Sequence, residues 1–73
     1  MKVKLKEEYR KAELEFYKIP KENREGLLFF STMDLILGKE YEVKGTRKNS
    51  YIILDESGET YYYPMQYFTV VNN

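Results

Sequence analysis

Tyr61-Tyr62-Tyr63-Pro64-Met65-Gln66-Tyr67-Phe68 is the stretch on which the fold turns. Three consecutive tyrosines favour an extended backbone, and Pro64, which has no N–H to give to a ladder, ends the strand. A short turn follows, and Phe68 to Val71 returns as a last strand. Upstream, Asp55-Glu56-Ser57-Gly58-Glu59 has the composition of a tight hairpin loop in which Gly58 takes the left-handed conformation. Ser50 to Leu54 is rich in β-branched and aromatic residues and reads as a central strand. Gly45 to Asn49 reads as a polar loop, and Glu40 to Lys44 as an alternating strand with Tyr41 and Val43 inward. Leu35-Ile36-Leu37 leads into a turn at Gly38-Lys39. Short strands at this spacing, separated by such turns, predict a small barrel or sandwich.

The N-terminal part is less regular. Met1 to Lys6 alternates apolar side chains with lysines, the pattern of a half-buried strand whose lysines discourage edge pairing. In Lys6 to Ile19, Leu5, Tyr9, Ala12, Phe16 and Ile19 recur at steps of four and three, which is one face of a helix. Glu7 and Lys11 have the favoured i, i+4 polarity, and Pro20 would end the helix. Ala12 to Phe16 also alternates, so a strand, and hence a hairpin, stays open as the alternative. Lys21 to Gly26 is a polar turn, and Leu27-Leu28-Phe29-Phe30 is an apolar run too short for its period to assign. That run is either core or an exposed patch.

Composition narrows the function. The chain has 73 residues, enough for one domain, and no cysteine, so neither disulfides nor a thiolate metal site staples it. A chain of this size buries only about 60% of its unfolded surface, which leaves packing of its eight Tyr and four Phe to supply stability. Twelve basic and twelve acidic residues cancel. The signs do not segregate: nine basic and eight acidic residues precede Tyr41, with three and four from there on. A duplex-binding domain carries an excess of Lys and Arg, so nucleic acid is disfavoured. Lys2, Lys4, Lys6, Arg10 and Lys11 are interleaved with Glu7, Glu8 and Glu13, which makes a solvated mixed surface the expected reading. With no His and no Cys, the usual acid–base and nucleophilic groups are missing, and no enzyme activity or cofactor is expected. Asp55, Glu56 and Glu59 crowd one loop, but three carboxylates fall short of the six to eight oxygens of a calcium site, so no metal is expected. No apolar run approaches the roughly 20 residues of a membrane span. The basic start leads into Glu7 and Glu8 rather than a signal core, so the encoded chain is expected to be the mature one, in the cytoplasm.

Asp34 to Val71 resembles the second half of a Src-homology-3 (SH3-like) domain. Leu35 to Glu40 looks like the diverging turn, and Tyr51 stands where that family has the first of two tryptophans. Asp55 to Glu59 looks like the distal hairpin loop, and Tyr63 to Phe68 is similar to the aromatic-Pro-Ser-Asn-Tyr-Val ending. The chain also looks like small phage and prophage proteins of Gram-positive bacteria. These open Met-Lys-Val-Lys and continue Gly-Lys-x-Tyr-Glu-Val, Asp-x-x-Gly-Glu and Tyr-Pro-x-x-x-Phe, pieces found here at Met1–Lys4, Gly38–Val43, Asp55–Glu59 and Tyr63–Phe68. There is no Trp, and the Ala-Leu-Tyr-Asp-Tyr signature is absent. The expected fold is thus all-β with minor α: one domain over 1–73, a five-stranded SH3-like barrel. Residues 34–71 are its recognisable half and 6–33 a helical or hairpin insertion.

The resemblance implies a shallow aromatic groove at Tyr51, Pro64 and Tyr67 that would accept a polyproline helix. The alternative is that Tyr51 and Tyr67 brace the barrel. Alternation in the tyrosine run puts Tyr61 and Tyr63 on one face and Tyr62 on the other. An exposed Tyr62 would serve as an anchor for a protein partner, or stack a nucleic-acid base, or simply fill a thin sheet. The expected function is a non-catalytic protein–protein interaction module, phage-encoded and working by occupancy in a host cytoplasm. Single-stranded nucleic-acid binding and structural self-association are the alternatives. The partner and the oligomeric state are left open.

Overall fold

The alternating lysines of the first segment form strand β1 (Lys2–Leu5), which buries Val3 and Leu5. A computed structural model describes residues 1–24 and 30–72. After β1 come helix α1 (Glu7–Lys18), β2 (Tyr41–Arg47), β3 (Ser50–Leu54), β4 (Thr60–Pro64) and β5 (Phe68–Asn72). A 3-10 turn at Met65–Tyr67 joins the last two strands, as Pro64 demands. All strand pairs are antiparallel, in the order β4-β3-β2-β1-β5. The register of β3 against β4 sets Tyr51 opposite Tyr63 and Ile52 opposite Tyr62, so the inward and outward sets alternate as the sequence predicts.

The closed barrel is not formed. Among the described residues, β4 and β5 each pair with a single neighbour and not with each other, which leaves an open five-stranded antiparallel sheet with one N-terminal helix. Strand β2 is shared: Tyr41 and Glu42 pair with β1, and Val43 to Arg47 pair with β3. A register shift between Val43 and Gly45 bends it at the change of partner. Gly45 therefore lies in a strand rather than in the expected polar loop, its α-carbon facing Ile52 closely enough that a Cβ would sit 3.4 Å from Cδ1. The loop shrinks to Lys48-Asn49, with Lys48 left-handed at φ 52°.

The helical alternative holds for Lys6 to Ile19, and Tyr9, Phe16 and Ile19 of the expected face are half-buried. Ala12, however, is exposed and not on the covered side, while Arg10 is half-buried and Glu13 is 0% exposed. Glu7 and Glu8 in the first turn and Lys18 in the last complement the helix dipole. Ile19, extended before Pro20, ends the helix. The Glu7–Lys11 and Glu15–Lys18 ion pairs are exposed and add little.

What docks α1 is a polar seam. The Glu13 carboxylate accepts hydrogen bonds from the Thr32 N–H (2.8 Å), the Thr32 hydroxyl, the Ser31 hydroxyl (3.0 Å) and the Tyr17 hydroxyl (3.2 Å). Arg10 donates to the carbonyls of Thr32 (2.7 Å) and Leu35. The segment from Ser31 to Gly38, which has no ladder of its own, is thus tied to the helix. From the other side, Glu56 N–H donates to the Asp34 carbonyl (2.8 Å), and Ile36 N–H donates to the Tyr41 hydroxyl (2.7 Å). That hydroxyl and Lys39 both donate to Glu56, at 2.8 and 2.6 Å. Held from two directions, the segment delivers Leu35 into the core beside Val3, Tyr41, Tyr51, Ile53 and Phe68. Of the Leu27–Phe30 run, only Phe30 falls among the described residues, where it is exposed; the choice between core and patch for the rest lies outside them.

Burial raises the Tyr41 pKa to about 12, helped by the Glu56 carboxylate and opposed by the Ile36 N–H. Below pH 10 both folded and unfolded Tyr41 are neutral and its packing contributes in full. Between pH 10 and about 12 the unfolded chain loses its proton more readily, so stability falls as pH rises. Urea midpoints measured from pH 8 to 12 are expected to drop above pH 10, with a shallower drop in Tyr41→Phe.

Candidate functional site

Rings from six parts of the chain meet along one side of the sheet. Tyr9 of α1 stacks on Tyr67 of the 3-10 turn, centroids 4.2 Å apart and planes at 23°. Phe30 sets its edge to Tyr67 at 6.3 Å and leans on Tyr63 at 6.1 Å. Tyr63 meets Phe68 at 6.0 Å, and Phe68 meets Tyr51 at 6.0 Å, both edge-on. The series runs from buried to open: Tyr51 is 8% exposed, Phe30 44% and, next to it on β4, Tyr61 48% and Tyr62 45%.

At the open end lies a cleft of about 300 Å³, lined among the described residues by Phe30, Ser31, Asp34, Tyr61, Tyr62 and Tyr63. The edge of β4 that is unpaired among the described residues forms one wall, and the clamped segment from Ser31 to Asp34 forms the other. Behind it, the Tyr63 hydroxyl donates to buried Asp55 at 2.6 Å. Burial pushes the Asp55 carboxyl up, but hydrogen bonds from Ser57 and Tyr63 outweigh it and hold the group below the ordinary carboxylate value. Tyr63 is pushed well above its ordinary value, by burial first and then by Asp55. Tyr63→Phe is expected to cost about 1–2 kcal/mol by stripping a buried carboxylate of a donor, and to raise the Asp55 pKa in a carboxyl NMR titration. Tyr61 donates to Glu59 at 2.8 Å, and that bond, with the charges of Glu59, Asp55 and Asp34, raises its pKa. The loop carboxylates are thus engaged with neighbouring hydroxyls and with Lys39, and among the described residues no three acidic groups converge on a metal site.

The four residues singled out in the sequence do not share one groove. Tyr51 faces inward with Tyr63. Pro64 stands opposite Ser50 on the other face and lines a separate depression with Asn49, Met65 and Gln66. Tyr67 is half-buried under Tyr9. Only Tyr62 reaches the open cleft, with the Arg47 guanidinium 5.7 Å from its ring centroid. Phe30 ends the apolar run that the sequence left open between core and exposed patch, whereas Asp34, which also lines the cleft, carries no local signal in the sequence. They come near β4 only because Glu13, Arg10 and Glu56 hold their segment there.

No helix is long and apolar enough to cross a membrane among the described residues. No family model, curated protein or solved structure matches this chain.

Proposed function

We propose that this chain is a non-catalytic protein–protein interaction module of SH3-like design that acts by occupancy. The observation that carries the reading is the cleft beside β4, where Phe30, Tyr61 and Tyr62 are nearly half exposed although a chain this small has every reason to bury its rings. Tyrosine at such a site offers a large, rigid contact area with a polar tip, the residue type enriched at protein interfaces. The SH3-like part is supported by the β2-β3-β4 meander, by a left-handed Gly58 in the loop between β3 and β4, and by the 3-10 turn after Pro64. A phage or prophage product directed at a host or phage protein in the cytoplasm accords with the segments at Met1–Lys4 and Gly38–Val43. Single-stranded nucleic acid fits less well, because Asp34 and Glu59 beside the rings repel phosphate.

The test is a pull-down from a Gram-positive bacterial lysate, wild type beside Tyr61→Ala/Tyr62→Ala, before and after nuclease. A nuclease-resistant protein retained by the wild type and lost by the variant is expected. Loss of all retained material on nuclease treatment, with binding that falls steeply in salt, would replace the reading with the nucleic-acid one. A concentration-dependent mass with no foreign partner would replace it with self-association.

A further inference from the structure

We infer that the cleft beside β4 receives an arginine side chain of the partner, a step that rests on the interaction reading of that cleft. Asp34 supplies the anionic end. Its carbonyl is taken by Glu56, yet among the described residues its carboxylate has no cation within ion-pair distance and no hydrogen bond. The aromatic residues Phe30, Tyr61 and Tyr63 line the same cleft. A carboxylate with no partner among the described residues, sharing one cleft with aromatic rings, favours a cation over a neutral group, since ring faces carry negative quadrupole density. Glu59, bonded to the Tyr61 hydroxyl, adds to the negative potential.

Guanidinium fits better than ammonium. It is planar, so it can lie on a ring while its edge meets a carboxylate with two parallel hydrogen bonds, and it sheds water more readily. The fold already uses this chemistry internally: Arg47 lies over Tyr62 at 5.7 Å, and Arg24 lies over Phe16 at 5.6 Å. At about 300 Å³ the cleft is at the small end of ligand sites, a volume suited to one side chain rather than a whole cofactor. The edge of β4 alongside it, unpaired among the described residues, can pair with the backbone that presents the arginine.

The experiment is an NMR titration of the isotope-labelled full chain with an end-blocked Gly-Arg-Gly peptide, and with the same peptide carrying citrulline or lysine instead. The arginine peptide is expected to shift the amides of Ser31, Asp34, Tyr61 and Tyr62. Citrulline, which keeps the shape and loses the charge, should bind about tenfold more weakly. Asp34→Asn, an exposed substitution that leaves the backbone bond to Glu56 in place, should weaken the arginine peptide about fivefold and leave the citrulline peptide unchanged. Equal binding of the arginine and citrulline peptides, equal binding of arginine and lysine, or shifts that map elsewhere would overturn the inference. In the pull-down, a partner held at full strength by Asp34→Asn but lost by Tyr61→Ala/Tyr62→Ala would overturn the arginine site alone. A partner held equally by all three proteins would remove the cleft reading itself.

Discussion

Replacing Glu13 by alanine is expected to lower the stability of this domain by about 3 kcal/mol, the loss of a fully buried carboxylate that satisfies a backbone N–H and three hydroxyls. The Thr32 N–H is the group left worst off. Its hydroxyl can rotate and still accepts from Arg10 Nε, but the N–H is fixed and has no second acceptor among the described residues. A domain of this length is stable by only about 4–11 kcal/mol in total, so the change removes a large share. Glu13→Gln keeps the shape and one acceptor oxygen, and the hydroxyls of Ser31 and Tyr17 can rotate to accept from its NH₂, so it should cost about 1 kcal/mol. Urea unfolding measures both variants, and hydrogen exchange at Thr32 reports the local effect. A Glu13→Ala midpoint equal to that of the wild type would mean that the seam contributes nothing and that α1 is held by its rings alone. Because the same seam places Asp34, cleft binding should weaken in Glu13→Ala under conditions where the sheet is still folded.

Ile53→Ala is expected to be as damaging, at about 3–4 kcal/mol, for an unrelated reason. Ile53 is 0% exposed in the middle of β3, paired with Val43 on one side and Tyr61 on the other. Truncation forfeits the transfer free energy of the side chain and leaves a cavity that a core braced by Tyr51, Tyr63 and Phe68 cannot collapse to fill. Ile53→Val, which removes one methyl, should cost about 1 kcal/mol. The two variants together test whether cost scales with the volume removed. A near-neutral Ile53→Ala would mean that the sheet face repacks, contrary to the edge-on ring contacts that fix it. The Glu13 and Ile53 effects should add, since the residues share no partner in the described network.

The strands were legible because each carries its own signal. Tyr41 and Val43, the β-branched run at Ile52-Ile53, the turn at Asp55–Glu59 and the stop at Pro64 are local statements about pleat, φ and missing donors, and they needed nothing from the rest of the chain. That Tyr62 and Tyr63 lie on opposite faces of β4 followed from period two alone. Where the reading went astray, the deciding partner was distant. Ala12 looked like a core residue of α1 because periodicity counts apolar side chains, whereas the helix docks through a glutamate and an arginine that find their partners 19 to 25 residues on. The polar loop expected at Gly45–Asn49 shrank to Lys48-Asn49, with 45–47 in strand, because Ile52 packs on Gly45 and Lys48 accepts a left-handed turn.

The candidate site divides in the same way. That tyrosines cluster on one strand, that no histidine or cysteine is present, and that the charges cancel are properties of the sequence by itself. Which tyrosine is buried and which is open was a matter for tertiary structure: Tyr51, expected in a groove, is enclosed by Phe68, while Tyr61 is left at an unpaired edge. The sheet stays open because β4 and β5 end on opposite sides of the meander, an outcome of pairing across the whole chain that no local pattern encodes. Asp34 and Phe30 face β4 for the same reason. Strand identity rests on neighbours two residues apart, and the cleft rests on hydrogen bonds that close only after helix, loop and hairpin have met.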